Sequence, residues 1–272
     1  MMTTAALHGF PPEIICHITS FLPQTDLKNL RFADRTLSGH TTRQLFRSTR
    51  LLARAKDGHD PQRFIQLAKS NLSGLAREVS CDFSNIVHNG FIYTESKNFE
   101  LLPVFLDALP LLTRFRNLRT LHLCFDSDFS KCDFDLDPTI FRQNILVPVF
   151  RILAGTWTKK NTSTNQTTND QASVSSQDIP SSRIPLSTLI ISNLEDYHDP
   201  YLINMPEFKT VISGIKALRL DIAQRREYIP EARMKSTTVT NQCQEMFTQL
   251  PQTWLSLPIA ANLRALSLYY QS

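Results

Sequence analysis

Glycine is scarce in this sequence, and its scarcity argues against a whole class of binding sites. The 272 residues include seven glycines, and no two of them are closer than sixteen positions. A phosphate-binding loop needs several glycines close together so that backbone amides can approach the phosphate. The motifs H-E-x-x-H and G-x-S-x-G and the kinase signatures do not occur either. We therefore expect no cofactor and no catalytic activity.

Cysteine is also infrequent, and its spacing indicates the compartment. The five cysteines are Cys16, Cys81, Cys124, Cys132 and Cys243. They are odd in number, lie far apart and form no C-x-x-C pair, which is typical of reduced thiols rather than of a disulfide framework. Reduced thiols predict a cytoplasmic or nuclear protein.

Residue types that can bind metals occur, but their spacing does not match that of known metal sites. His122 and Cys124 stand two residues apart in a segment that reads as a strand, which is a weak ligand pattern. Residues 126–137 begin like an EF-hand loop, but Lys131 occupies the position that requires glycine and Asp137 the position that requires glutamate. We expect an acidic, solvated loop there and no metal site.

Long apolar runs are absent as well. The longest uncharged stretch, 246–263, is interrupted by Pro251 and Pro258 and falls short of the roughly 20 apolar residues of a membrane span. A secretory signal peptide begins with basic residues, but residues 1–10 contain no lysine or arginine. The net charge of +4 is too mild to indicate nucleic acid. The composition predicts a soluble intracellular protein with no membrane or nucleic-acid partner.

What the sequence does contain, near its start, is a strongly apolar helix. Its apolar positions follow the 3.6-residue period of a helix. They are Ile14, Ile15, Ile18, Phe21 and Leu22. Pro12 suits the first helical turn and Glu13 suits the positive end of the helix dipole, whereas Pro23 ends the helix.

Two further short helices should follow. Thr25 or Asp26 can cap the second, which carries Leu27 and Leu30, and the third begins near Asp34. Three helices within about forty residues cannot bury all of these apolar side chains among themselves. We therefore expect part of the isoleucine stripe to stay exposed, as it does at a protein interface.

The segment FPPEIICHITSFLPQTDLKNLRFADRTL, residues 10–37, resembles the F-box of fungal proteins. The family pattern is L-P-x-E-I-x-x-x-I-x-x-x-L-x-x-x-D-L-x-x-L. Phe10 replaces the usual leucine, and Asp34 stands where the family prefers a small or thiol side chain. The resemblance implies that this region binds a Skp-type adaptor, which joins it to a cullin–RING ubiquitin ligase of the SCF type. The adaptor-binding residues that it implies are Phe10, Pro11, Glu13, Ile14, Ile15, Ile18, Leu22, Asp26, Leu27 and Leu30.

Short segments that read alike recur in the rest of the chain. They are NLRTLHL (117–123), PLSTLII (185–191), GIKALRL (214–220) and NLRALSL (262–268), with a fainter LAREVSCDF (75–83). Each ends in alternating apolar residues, which predicts a strand. Helix-like stretches at 61–70, 97–113, 143–153 and 241–257 lie among them. This alternation resembles a leucine-rich repeat solenoid.

The predicted fold is therefore mixed α/β: a three-helix F-box followed by an irregular leucine-rich-repeat-like solenoid of helix–strand units. The intervals between predicted strands mostly exceed the usual repeat of about 20–29 residues. Another α/β arrangement thus remains the alternative.

The predicted boundaries follow from these patterns. The F-box occupies 8–50, a helical linker 51–74, and a repeat-like substrate-binding domain 75–272. Residues 156–183 are rich in Ser, Thr, Asn and Gln and are predicted to be a disordered insertion within that domain.

Four arginines near the first boundary follow a helical spacing. They are Arg43, Arg47, Arg50 and Arg54. They would line one helix face if the third helix continued that far. Contact with an acidic or phosphorylated partner and an ordinary solvated face are both open interpretations.

The function predicted from these features is non-catalytic. The chain would be the substrate receptor of an SCF-type ligase, binding the adaptor through its F-box and an unidentified target protein through its repeats. The alternative is a leucine-rich-repeat scaffold that acts outside the ubiquitin ligase. A third possibility, an enzyme, requires a pocket with converging titratable groups.

Overall fold

The chain begins with helices and then alternates helices with strands. The structure, a computed structural model, describes residues 9–52, 60–82, 102–125, 138–158, 182–194, 199–223, 244–256 and 260–271. The helices are α1 (Pro12–Ser20), α2 (Gln24–Ala33), α3 (Arg35–Leu45), α4 (Asp60–Lys69), α5 (Leu102–Ala108), α6 (Pro138–Ala154), α7 (Pro200–Asn204), α8 (Pro206–Gly214) and α9, which includes residues 244–249. The strands are β1 (Ser48–Leu52), β2 (Glu78–Asp82), β3 (Thr120–Cys124), β4 (Thr188–Leu194), β5 (Ala217–Ala223) and β6 (Ala265–Gln271).

The six strands form one parallel sheet in the order β1-β2-β3-β4-β5-β6. Each strand pairs with the next strand of the chain, so every connection is a crossover that leads to the adjacent strand of the sheet. Parallel crossovers are almost always right-handed, which places successive connecting helices on the same face of the sheet. One buried rung runs through Leu51, Cys81, Leu123, Ile191 and Leu220. The predicted mixed α/β class is confirmed.

The leucine pairs predicted to be strand positions lie in the sheet as expected. Leu121 and Leu123 pair with Leu189 and Ile191, and the same register continues into β5 and β6. The pairs of β3, β4 and β5 belong to one large hydrophobic cluster together with residues of helices α4 to α8, whereas in β6 Leu268 only packs against it and Leu266 is exposed. The cluster therefore covers one face of the sheet, while the opposite face carries the alternate side chains.

Several details differ from the sequence prediction. The helix after α2 ends at Leu45, so the four arginines do not share a helix: Arg47 precedes β1 and Arg50 lies on it. β1 itself was not predicted. Helix α2 begins at Gln24, directly after Pro23, and no side chain caps it. Within the helical stretch predicted at 97–113, α5 gives way to a 3₁₀ helix at Leu109–Arg114, and residues 97–101 lie outside the described residues.

Some sequence predictions lie outside the described residues. They concern Arg54, the acidic loop at 126–137, and nearly all of the insertion predicted at 156–183. Within the part of the chain that the structure describes, no helix is both long and apolar enough to cross a membrane.

The first three helices have a core of their own. Helix α3 packs against both α1 and α2, and we call these three helices the helical module. Its buried apolar side chains are Ile15, Leu27 and Leu37. None of the three belongs to the large cluster that begins with Leu51. The helical module is therefore held by few apolar contacts, separate from those of the sheet.

Candidate interaction surfaces

Helix α1 presents an apolar surface to solvent. Pro11 begins the helix, because its carbonyl accepts hydrogen bonds from the amides of Ile14 (3.0 Å) and Ile15 (3.2 Å). Four large apolar side chains are exposed in and next to this helix: Ile14 and Ile18 lie one turn apart on one helix face, Phe10 precedes the helix and Phe21 follows it directly. Phe10, Ile14, Ile18 and Phe21 are 44%, 44%, 37% and 73% exposed, respectively. We call this set the apolar face.

The other side of α1 packs inward. Ile15 is 5% exposed and Thr19 is 1% exposed. The Sγ atom of Cys16 lies 3.4 Å from Nδ1 of His40 on α3, which joins the two helices. The apolar stripe predicted from the sequence is therefore divided between an inner side and an outer side.

The ten residues implied by the F-box resemblance fall into three groups by exposure. The exposed ones are Phe10, Pro11, Glu13, Ile14, Ile18 and Asp26. The half-buried ones are Leu22 and Leu30, and the buried ones are Ile15 and Leu27. Ile15 and Leu27 belong to the small core of the helical module. They therefore stabilise the helices that carry the exposed residues and are not themselves available for contact.

Asp34, which departs from the family pattern, has a defined local role. Its Oδ1 accepts a hydrogen bond from the amide of Leu37 at 3.0 Å. A carboxylate in this position satisfies an amide that has no partner within the first turn of a helix. Asp34 therefore caps α3 and fixes where the helix begins.

A second surface lies on the sheet, opposite the large hydrophobic cluster. We call it the open face, and its middle rung pairs Arg50, Ser80, His122, Ile190, Arg219 and Ser267 in that order across the six strands. These side chains are exposed or half-buried. Most of the rung is polar, in contrast to the buried rung beside it.

A chain of hydrogen bonds crosses three strands of the open face. The Ser192 hydroxyl on β4 donates to Oδ2 of Asp221 on β5 at 3.1 Å, and Nε2 of His122 on β3 lies 2.9 Å from Ser192 Oγ. Because the hydroxyl proton points to the carboxylate, the imidazole nitrogen is the donor in the second bond. Asp221 is 6% exposed, so these bonds satisfy a buried carboxylate.

Arg219 extends this network towards the edge strand. Its guanidinium pairs with the Asp221 carboxylate at 3.4 Å and lies 4.6 Å from the centre of the Tyr269 ring on β6. An arginine held between a carboxylate and an aromatic ring has a restricted side-chain conformation. The open face therefore presents a fixed cation beside an exposed ring.

A bulge in β4 brings Ser192 and Asp221 together. The register shifts between Ile191 and Leu194, so two residues of β4 face one residue of β5. Asn193 adopts the left-handed backbone conformation with φ 58°, which asparagine tolerates better than most residues. The side-chain amide Nδ2 of Asn193 donates to the carbonyl of Phe125 at 2.7 Å, which anchors the bulge to the end of β3.

The order of contacts in this network does not suit nucleophilic catalysis. In a Ser-His-Asp triad the imidazole accepts the hydroxyl proton and the carboxylate orients the imidazole. Here the serine stands between the histidine and the aspartate and donates to the aspartate. The described residues also include no group of three His, Cys, Asp or Glu side chains that could hold a metal ion. The arrangement is suited to holding polar side chains in place on a binding surface.

Two groups near the sheet have shifted pKa values, and burial is the main cause of both. Burial raises the pKa of the Cys81 thiol to about 12, with a smaller contribution from the Asp82 carboxylate, so this cysteine stays a neutral core residue. Burial also lowers the pKa of His122 below its usual 6.5. The carboxylates of Asp82 and Asp221 oppose that shift, and Arg219 and Arg50 add to it.

The His122 shift predicts a loss of stability in acid. The folded protein disfavours the imidazolium, so the unfolded chain binds the proton more readily as the pH falls below 6.5. We expect the urea midpoint to decrease between about pH 7.5 and about pH 5, and His122→Gln to weaken that decrease. The matched control is His17→Gln, on an exposed histidine of α1. An equal decrease in the wild type and in His122→Gln would contradict the assignment.

Comparison with known proteins adds no family to this picture. The chain matches no protein-family model, and a search of the curated proteins finds no match either. The F-box resemblance therefore depends on the sequence of residues 10–37 alone.

Proposed function

We propose that this chain is the substrate receptor of an SCF-type ubiquitin ligase. Its helical module binds a Skp-type adaptor, and its sheet-bearing region, an irregular leucine-rich-repeat-like solenoid, binds the target protein. The chain supplies no catalytic group. It acts by effective concentration, because a bridge that holds the target near a charged ubiquitin-conjugating enzyme raises the frequency of their encounters.

The observation that carries the proposal is the distribution of apolar side chains in the helical module. Among its described residues, three large apolar side chains are buried, whereas four lie exposed on the apolar face and Phe32 is exposed on α2. Burial of one such side chain contributes about 1.5–3 kcal/mol. A module that leaves five large apolar side chains 37–86% exposed beside so small a core is suited to docking.

The sheet supports the second half of the proposal. Six parallel strands in chain order, joined by helical connections, extend in one direction, as repeat units do in a solenoid. Such a sheet leaves one continuous face available for a partner. The open face and the ends of its strands are the surfaces on which a target would bind.

A pull-down with a purified Skp-type adaptor tests the proposal. We expect the wild-type chain to bind and Ile18→Asp to weaken binding by about 100-fold or more, because a carboxylate would have to be desolvated in an apolar interface. Phe247→Asp is the matched control, since Phe247 is a similarly exposed apolar residue on α9. Unchanged adaptor binding by Ile18→Asp would remove the apolar face from the proposed interface. No adaptor binding by the wild type would contradict the proposed function.

A further inference from the structure

Basic residues precede nearly every strand of the sheet at the same register position. The residues directly before the six strands are Arg47, Arg77, Arg119, Ser187, Lys216 and Arg264. Except for Ser187, all are cations and all are exposed. Because the strands are parallel and paired in register, these residues form one row along the amino edge of the sheet. We call it the basic row.

The backbone holds the row in position. The carbonyl of each residue in the row except the last, Arg264, accepts two hydrogen bonds from the next segment; that of Arg77, for example, accepts the amides of Arg119 (2.8 Å) and Thr120 (3.0 Å). The same pair of bonds links Arg47 to the second segment and Lys216 to the last. Adjacent strands lie about 4.8 Å apart, so the row spans about 24 Å.

Ser187 is the one neutral residue of the row, and a cation from outside the row, Arg183, lies beside it. The Nη2 atom of Arg183 donates to the carbonyl of Thr210, in the middle of α8, at 2.8 Å. A groove of about 330 Å³ opens there; it is lined by Arg119, Arg183, Pro185, Leu186, Ser187, Gly214 and Lys216. Three cations therefore surround the only gap in the row.

Most of this charge is not neutralised by neighbouring carboxylates. Among the described residues, the ion pair that involves the row joins Arg47 to Glu78 at 3.3 Å. The five cations of the row and Arg183 together exceed the net charge of the whole chain, which is +4. Among the described residues, five of these six cations have no carboxylate within ion-pair distance.

We propose that the basic row binds an acidic segment of a protein, with one anionic side chain in the groove at Ser187. At about 3.3 Å per residue, an extended segment of about seven residues matches the length of the row. The anionic groups are carboxylates or phosphates, both of which arginine binds with two parallel hydrogen bonds. If the proposed function holds, the acidic segment belongs to the ubiquitination target.

An acidic protein segment fits the row better than single-stranded nucleic acid does. Binding of single strands uses aromatic side chains on which bases stack. None of the exposed large apolar side chains among the described residues lies in a segment directly preceding a strand. The row offers charge and hydrogen-bond donors without a stacking surface.

Fluorescence anisotropy with the full-length chain tests the inference. The probes are a labelled seven-glutamate peptide, a labelled peptide with three phosphoserines, a seven-lysine peptide and a ten-nucleotide oligothymidine.

The test variant is Arg77→Glu, Lys216→Glu, Arg264→Glu combined. Arg119 and Arg183 are left intact because their guanidinium groups bond to backbone carbonyls. The control variant, Lys28→Glu, Arg35→Glu, Arg43→Glu combined, makes the same charge change on exposed residues of the helical module.

We expect at least one acidic peptide to bind, the row variant to lose about tenfold or more in affinity, and the control variant to lose much less. The acidic peptide that binds tighter identifies the source of the anion. Equal losses in both variants, absence of binding by both acidic peptides, or tighter binding of the oligothymidine would overturn the inference. Adaptor binding by the row variant, measured in parallel, keeps this outcome separate from that of the proposed function.

Discussion

Replacing Trp254 with alanine should lower the free energy of unfolding by about 3–5 kcal/mol. Trp254 is fully buried, and its ring packs edge-to-face on Phe208 on α8, with ring centres 4.8 Å apart. Phe150 on α6 completes the group at 5.0 Å from Phe208 and 6.2 Å from Trp254. Three rings from three separate segments thus meet at one point, and alanine would leave a cavity that none of these segments can close alone.

Urea unfolding followed by circular dichroism measures this effect without using the tryptophan itself as the probe. The control is Phe247→Ala, seven residues earlier, where the ring is 57% exposed. We expect a change of about 0.5 kcal/mol or less in the control. Similar losses in the two variants would contradict the central position of Trp254 in the core.

Strands were the most predictable part of the fold, because their leucine pairs alternate visibly with polar residues. β1 is the exception. Thr49 occupies the register position that Val79 and Leu121 hold in the next two strands, so β1 shows a single core residue, Leu51, and no apolar alternation. Its pairing with β2 defines it, and pairing is a tertiary property.

Helices α7 and α8 escaped prediction although local signals were present. Pro200 and Pro206 each open a helix, where proline is favoured because the first turn needs no amide donor. Asp199 also caps α7 by accepting the amide of Tyr201 at 2.9 Å. These signals are separated by only six residues, and such short helices have little apolar periodicity of their own.

The polar network of the open face could not be predicted from the sequence. His122, Ser192 and Asp221 are up to 99 positions apart, and they meet only because three strands pair in one register. The bulge at Asn193 then decides which side chain of β4 faces Asp221. Both conditions depend on the assembled sheet.

The division of helix α1 into two sides is a similar case. Periodicity places Ile14, Ile15 and Ile18 on one broad stripe, because neighbouring residues on a helix differ in direction by only about 100°. Which part of the stripe turns inward depends on where α3 packs. The structure places Ile15 against that packing and leaves Ile18 outside.

That division leads to the second large effect: Ile15→Asp should unfold the helical module and leave the sheet folded. Ile15 is one of three buried apolar side chains in the module's small core. Burying an unpaired carboxylate there costs roughly 3 kcal/mol or more, and the remaining contacts cannot offset it. The large cluster around the sheet includes none of these residues, so it should stay intact.

Hydrogen exchange followed by mass spectrometry can resolve the two regions. In Ile15→Asp we expect amide protection to be lost across residues 12–45 and retained across β4 and β5. Ile18→Asp is the matched control, since it places the same carboxylate one helical turn away on the apolar face, and its protection should resemble that of the wild type. Adaptor binding should be lost in both variants, by unfolding in the first and by a damaged contact surface in the second. Loss of protection in Ile18→Asp as well would mean that the apolar face is part of a core, and it would contradict the division of α1.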